Sequence, residues 1–340
     1  MSITRRNISR CLLVSVSLIA SVACGQPFSG ETIDIAKDKK GIGFDDLRYS
    51  PSLHRVLVPA GRTGTIVLID SANHRTSSIT GLSTEESYGG GHGEGTTSVD
   101  EGEGALYATD RTSKEVVIID PAARRVTSRA ALGGSPDYVR YVGPTHELWV
   151  TQPDSEQIEI FSISPRLAHV AFISVPGGPE SLVIDGPGGR AYTHLWSGTS
   201  VVIDIKSRSI VARWPNQCNG SRGIAYDERS HFLFAARAEG KAEVLDTAHN
   251  GAVLATASAG NGVDIIDYDP VRRHLYFPGS RSATMTIFSV AANGTLTPFG
   301  TTPTASGAHC VVTDGKDAYV CDPNRGRILV VHDSYTANLH

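Results

Sequence analysis

At 340 residues, with 40% hydrophobic and 19% charged side chains, the chain has an ordinary globular composition and the length for one large domain. Lys and Arg number 31 against 35 Asp and Glu, a net charge of −4, and this balance lacks the basic footprint that a phosphate backbone needs. Nucleic acid is therefore excluded as a partner, and because no stretch of ten residues past the first two dozen has helical periodicity, the body reads as all-β.

Residues 1–24 read as an export signal. Arg5, Arg6 and Arg10 form a basic head before the apolar run Leu12–Ala23, which is too short to span a bilayer comfortably. Thr4–Arg10 resembles a twin-arginine export motif, although Ser9 stands where that motif prefers a bulky apolar residue. Ala20–Cys24 resembles a permissive lipobox, with Ser21 where leucine is usual. Lipidation of Cys24 and plain cleavage both stay open. Either way the expected address is outside the bacterial cytoplasm, as a periplasmic protein or an outer-membrane lipoprotein held by its Cys24 lipid. Loss of the leader removes three arginines and no acid, leaving 28 bases against 35 acids and a body, residues 25–340, of about −7.

In the body one stretch is written seven times. Thr65–Asp70 is echoed at Val116–Asp120, Ile158–Ser162, Val201–Asp204, Ala242–Asp246, Met285–Ser289 and Ile328–His332, with steps of 50, 42, 42, 42, 43 and 43 between last residues. A period near forty with short apolar strands in each unit predicts a propeller of four-stranded blades. Each unit starts with an inner strand: Phe44–Tyr49, Thr96–Val99, Asp137–Tyr141, Glu180–Ile184, Arg222–Tyr226, Asp264–Tyr268 and His309–Thr313. The second and third strands are nearly continuous apolar runs, as expected of sheets covered on both faces, and the fourth is more polar. The last unit lacks its fourth strand, while Glu31–Ile35 is a strand-like segment with no unit of its own. The expectation is a seven-bladed β-propeller, its ring closed by Thr32–Ile35 completing the last blade.

Three cysteines remain in the body: Cys218, Cys310 and Cys321. Asp314–Asp317 reads as a type II′ hairpin turn, which sets Cys310 opposite Cys321 in the wider, hydrogen-bonded kind of pair. Opposed residues lie about 4.5–5.5 Å apart at Cα, within reach of a disulfide, so a bridge and two small buried thiols both stay open.

Leu106–Asp110 and Leu148–Gln152, each followed by a Val-Ile-Asp-like strand, resemble the YVTN repeat family, which includes YncE-like periplasmic proteins. The likeness covers roughly residues 31–335 and implies a seven-bladed propeller. It implies no activity, because the motif residues form strands and carry no chemistry.

In such a ring the residue opening each inner strand points toward the axis. That position reads Asp45, Gly95 beside Glu94, Asp137, Glu180, Arg222, Asp264 and His309. Clustered carboxylates repel one another unless a cation or the arginine compensates. A divalent cation held by Asp137, Glu180, Asp264 and His309 is therefore the candidate cofactor, against neutralisation by Arg222 and water. Loops of the same face carry Arg62, Arg111, Arg237, Arg281 and Arg325, a collar suited to an anionic or zwitterionic ligand unless neighbouring acids pair with it.

The second unit is eight residues longer than its neighbours, and the excess falls in the glycine-rich Ser83–Gly95, a lid presenting His92 and Glu94 or a surface insertion without a role. His194 and Trp196 sit in the corresponding loop of the fourth blade and read as packing at a strand end, with a stacking surface at the rim as the alternative. The chain has no Gly-x-Ser-x-Gly elbow, no His-Glu-x-x-His, no Cys-x-x-Cys and no EF-hand loop. The leading expectation is an exported, monomeric binding or scaffold propeller with a small-molecule or protein ligand on the mouth face. The alternatives are a metal-dependent lactonase or lyase, by analogy with propeller enzymes, with His309 or His92 as base, and a protein-interaction platform.

Overall fold

The computed structural model describes residues 28–36, 41–216 and 220–336. The leader, with Cys24, and Cys218 lie outside the described residues. Seven antiparallel four-stranded sheets surround a central channel. In the first blade the strands run Arg48–Ser50, Arg55–Pro59, Ile66–Asp70 and Thr76–Ile79 from the axis outward. The seventh has Val311–Thr313, Asp317–Asp322 and Arg327–His332, and its outermost strand is Glu31–Asp34 from the far end of the chain. Ile33 sits opposite Ile328 and is the buried side chain of that closing strand. Closure therefore joins the first and last blades through four ladder positions and one apolar anchor.

The repeated stretch behaves as its composition dictates. Ile66, Val67, Leu68 and Ile69 are all buried, because each sheet has a neighbour on both faces. Burying an aliphatic side chain of this kind contributes roughly 1.5–3 kcal/mol. Outer strands such as Arg125–Ala131 and Ala252–Ser258 instead alternate between exposed and half-buried positions. The aspartates ending the third strands form turns: Asp70 accepts the backbone N–H of Ala72 at 2.9 Å, and Asp120 that of Ala122 at 2.9 Å.

A second set of ties crosses between blades. The Tyr226 hydroxyl donates to Asp185 at 3.0 Å and the Tyr268 hydroxyl to Asp227 at 3.1 Å, each reaching 41 residues back to the preceding inner strand. Among the described residues the helical elements are four three-residue 3₁₀ turns, and no helix is long and apolar enough to cross a membrane.

The inner strands begin later than the sequence suggests, at Arg48, Val139, Val183, Asp267 and Val311 in five blades. The residues before them form short entry arms still held by backbone bonds. Asp137 N–H donates to Thr151 at 2.8 Å, Glu180 N–H to His194 at 2.9 Å and Asp264 N–H to His309 at 3.1 Å. Side chains on these arms are thus fixed at the channel mouth without belonging to the sheets.

Candidate functional site

Loop 83–95 lies across the mouth, and glycines let it do so. A Cβ on Gly43 would sit 2.4 Å from the carbonyl oxygen of Gly91, and one on Gly95, at φ +69°, would sit 2.0 Å from that of Gly61. The loop therefore packs backbone against backbone on the entry arm of the first blade. Both ends are tied: Ser83 N–H donates to Asp110 at 2.6 Å, and Arg111 N–H to Gly95 at 2.7 Å.

This path carries His92 onto the axis. Its Nδ1 lies 3.0 Å from Asp45 Oδ2 of the first blade and its Nε2 3.4 Å from Asp264 Oδ2 of the sixth. The Asp45 charge, joined by Asp264, outweighs burial and pushes the imidazole up to about 11, so His92 is an imidazolium. Burial would raise Asp264, but the hydrogen bond and charge of His92 hold it well below the usual carboxylate range. Arg111 forms an ion pair with Asp137 and stands 3.6 Å from Asp45. Arg222 stands 3.6 Å from Asp264 and lies over the ring of Trp196 at 4.8 Å. Burial, reinforced by the Asp264 charge, pushes Glu180 up to about 8 against the pull of Arg222 and a hydrogen bond from Trp196.

The side chain of His92 divides the mouth. One cavity of about 390 Å³ lies toward Tyr88, Arg281 and His309; another of about 320 Å³ lies toward Arg111, Glu180 and Trp196. His92 and Arg222 line both. Several buried polar atoms here have no aligned hydrogen bond: Asp45 Oδ2, His92 Nδ1, Arg111 Nε and Arg222 Nε.

Asp45, Asp137, Glu180, Arg222, Asp264, His309 and His92 thus do converge on one mouth. The proposed metal set does not converge further. Among the described residues the ligand clusters are His92, Asp264 and His309, and His309, Cys310 and Cys321; Asp137 and Glu180 join neither. Both ring nitrogens of His309 contact backbone carbonyls, Nδ1 to Gly307 at 2.7 Å and Nε2 to Phe44 at 3.0 Å. Carbonyls only accept, so both nitrogens donate and the ring is cationic. Burial opposes this, but facing Cys321 raises the imidazole to about 10. As found, neither histidine has a free lone pair with which to act as base.

The arginine collar is mostly structural. Arg62 is buried and donates to the carbonyls of Gly41 at 2.7 Å, Glu85 at 3.1 Å and Glu86 at 2.9 Å, so it clamps the base of the lid. Arg237 is buried and pairs with Glu239 at 3.1 Å and Glu243 at 3.7 Å. Arg325 lies 3.4 Å from Asp322 and lines a separate cavity with Phe28 and Pro303. Glu94 turns into a small recess beside Arg62 and Tyr88 instead of onto the axis. Only Arg111 and Arg281 of the five line the mouth cavities.

Cys310 and Cys321 do oppose each other, with Cys321 N–H donating to Cys310 O at 3.1 Å, but both are free thiols. The hydrogen-bonded register keeps the strands at their wider spacing. Cys321 Sγ turns instead toward backbone N–H groups of His309 at 3.4 Å and Cys310 at 3.2 Å. Trp196, for which the sequence offers packing or a stacking surface at the rim, is 53% exposed and floors a cavity beneath Arg222. Its partner, Arg222, comes from the neighbouring blade, so the stack appears only once the blades are side by side. His194 is structural, fully buried, with its Nδ1 3.0 Å from Ser200 Oγ and burial lowering it to about 4.

No family model matches the sequence. Uncharacterized protein YncE of Salmonella typhi is 23% identical over 187 residues, 54% of this chain. The chain is YncE-like. The match spans half the length of that relative. Solved structures share the propeller fold at low identity. A chain of the Kuenenia stuttgartiensis hydrazine synthase superposes with a TM-score of 0.72 at 15% identity, covering 88% of this chain and 97% of that one. A chain of the mitotic checkpoint complex gives 0.74 at 14%, covering 97% and 99%. The β-propeller domain of Myceliophteria thermophila Cps50 (Swd1) gives 0.72 at 12%, covering 89% and 99%. At these identities the likeness carries the fold alone.

Proposed function

We propose that this YncE-like propeller is an exported, monomeric binding protein whose channel mouth takes a small carboxylate-bearing ligand. One observation carries the reading. Arg222 lies over the ring of the exposed Trp196, borders both cavities, and makes only a long 3.6 Å approach to Asp264, so its donors are open to a ligand. A guanidinium fork on an aromatic plate matches a carboxylate in shape and charge. Each cavity is of the size usual for small-molecule sites, which run from about 300 to 1,000 Å³. The surrounding acids, Glu180 and Asp154 in the smaller cavity, favour a ligand that also carries an amine or hydroxyls.

The metal-dependent lactonase or lyase reading asks more of the same residues. Asp137 is paired with Arg111, Asp264 with His92 and Arg222, and the two candidate bases are cationic. A hard cation would have to displace these partners first. Calorimetric titration of the purified chain with a panel of small carboxylates, hydroxy acids and amino acids tests the binding reading. Binding should fall by about tenfold or more in Arg222→Gln and Trp196→Ala, the loss of one charge-assisted pair. A panel without binders, or affinities unchanged in both variants, would overturn it. Binding of an acidic peptide but of no free carboxylate would move the protein to the interaction-platform class.

A further inference from the structure

Behind the mouth lies a cluster that the carboxylate reading does not use. Cys310 and Cys321 are fully buried, face each other across the seventh blade, and meet the ring of His309. One ligand atom from each of the three lies within 4.8 Å of the other two, and Cys321 Sγ is 3.8 Å from His309 Nδ1. The far ring nitrogen, Nε2, donates to the Phe44 carbonyl at 3.0 Å. Metal-binding histidines are held in that way, with the second nitrogen fixed on a carbonyl so that the first faces the ion. Two backbone N–H groups point at Cys321 Sγ, an arrangement that stabilises thiolate. His309 is itself pinned, its carbonyl accepting N–H groups of Asp264 at 3.1 Å and Ile265 at 2.9 Å.

We propose that Cys310, Cys321 and His309 form a binding site for a thiophilic d¹⁰ cation, Cu(I) or Zn(II). Two sulfurs and one imidazole make a soft donor set, which discriminates against Mg²⁺ and Ca²⁺. Without metal, Nδ1 donates its proton to the Gly307 carbonyl at 2.7 Å, so the ion binds Nδ1 only once that carbonyl turns away and the proton has left. The two cysteines bind as thiolates, so binding releases protons. Three donors satisfy Cu(I), whereas Zn(II) needs a fourth from water in the 390 Å³ cavity that His309 borders. That cavity is also the way in.

The test uses the full chain, reduced and stripped with chelator, titrated with Zn(II) against a chromophoric chelator and with Cu(I) against a Cu(I)-specific one. One equivalent should bind, with release of protons. Co(II) loading should give the charge-transfer absorption of two thiolates. Cys321→Ser and Cys310→Ser should each lower affinity by about 100-fold or more, and His309→Gln by at least tenfold. Arg222→Gln should leave it unchanged, which separates this site from the carboxylate site. Wild-type protein that folds and binds neither ion overturns the proposal whatever the variants do. Metal retained in a folded Cys310→Ser/Cys321→Ser variant, or a Cys310–Cys321 disulfide in protein isolated without reductant, overturns it equally.

Discussion

The two ends of the channel meet at neighbouring residues, Asp45 and Asp46 of one entry arm, yet they differ in how their charges are satisfied. At the far end, Asp46 receives both terminal nitrogens of Arg140, at 2.6 and 2.8 Å, and the Ser98 hydroxyl at 2.5 Å. Arg140 Nε donates to Leu182 at 2.9 Å, and the pair is nearly inaccessible. One residue earlier, Asp45 faces His92 and Arg111 at ion-pair distances with its Oδ2 lacking any aligned hydrogen bond. Both ends enclose cavities of similar size, about 410 Å³ at the far end and 390 Å³ at the mouth. Volume therefore does not separate them. A buried ion pair with every donor engaged is a structural lock, whereas one with open donors is poised for a ligand.

That contrast breaks first at Arg140. Arg140→Ala should cost about 3–5 kcal/mol in denaturant unfolding, because Asp46 is left buried without a partner. Arg140→Met with Asp46→Leu should recover most of it, while Arg222→Gln at the mouth should cost less than about 1 kcal/mol. Equal losses at the two ends would erase the distinction.

Glu180 sharpens the comparison through pH. Its folded value, about 8, lies above the unfolded 4.5, so the folded chain holds the proton longer and stability falls as pH rises between these values. Glu180→Gln should remove that slope and gain about 2 kcal/mol relative to wild type at pH 8 over pH 4.5, after allowance for solvent screening. Carboxylate affinity in the wild type should also weaken above pH 8, as ionised Glu180 competes for Arg222. A flat profile in both measurements would place Glu180 outside the site.

The His92 latch should have a smaller effect: stability again falls as pH rises, but here replacing the residue costs stability instead of gaining it. Its raised value means that its contribution is complete below the unfolded 6.5 and is lost as pH climbs through about 11. His92→Gln should therefore cost about 1 kcal/mol near neutrality, with the gap to wild type closing toward pH 11. Proteolysis within residues 83–95 should quicken in the same variant. The smallest effect is expected at the collar's exposed members: Arg325→Ala and Arg281→Ala should each change thermal stability by less than about 0.5 kcal/mol. A larger loss at Arg281 would mean that it pairs across the mouth.

How far the sequence could be read follows from the range of the interactions. Thr65–Asp70 and its echoes disclose the blades because burial on both sheet faces is written locally, as unbroken apolar runs. Glu31–Asp34 discloses the closure because Ile33 needs a partner that only the unfinished last blade lacks. The ruler they form also locates the mouth residues, since each entry arm sits at a fixed offset from its blade. It does not say what each side chain does there. Arg62 and Arg237 look like Arg111 in sequence, but carbonyls of the lid capture the first and acids of its own blade the second. His309 looks like a base or ligand for the carboxylates, yet its ring lies between Phe44 O, Gly307 O and Cys321.

By itself, then, the sequence determined the seven blades, their order, the closing strand and which entry-arm residues reach one end of the channel. Each of these depends on repetition or on pairing with a known register. Only the tertiary structure decided that His92 joins Asp45 to Asp264, that Arg222 rests on Trp196, and that two cysteines and a histidine share one point. The first links blades distant in the chain, the second joins adjacent blades, and the third lies within the seventh. Their distances and charges depend on rotamers that packing selects after the ring has closed.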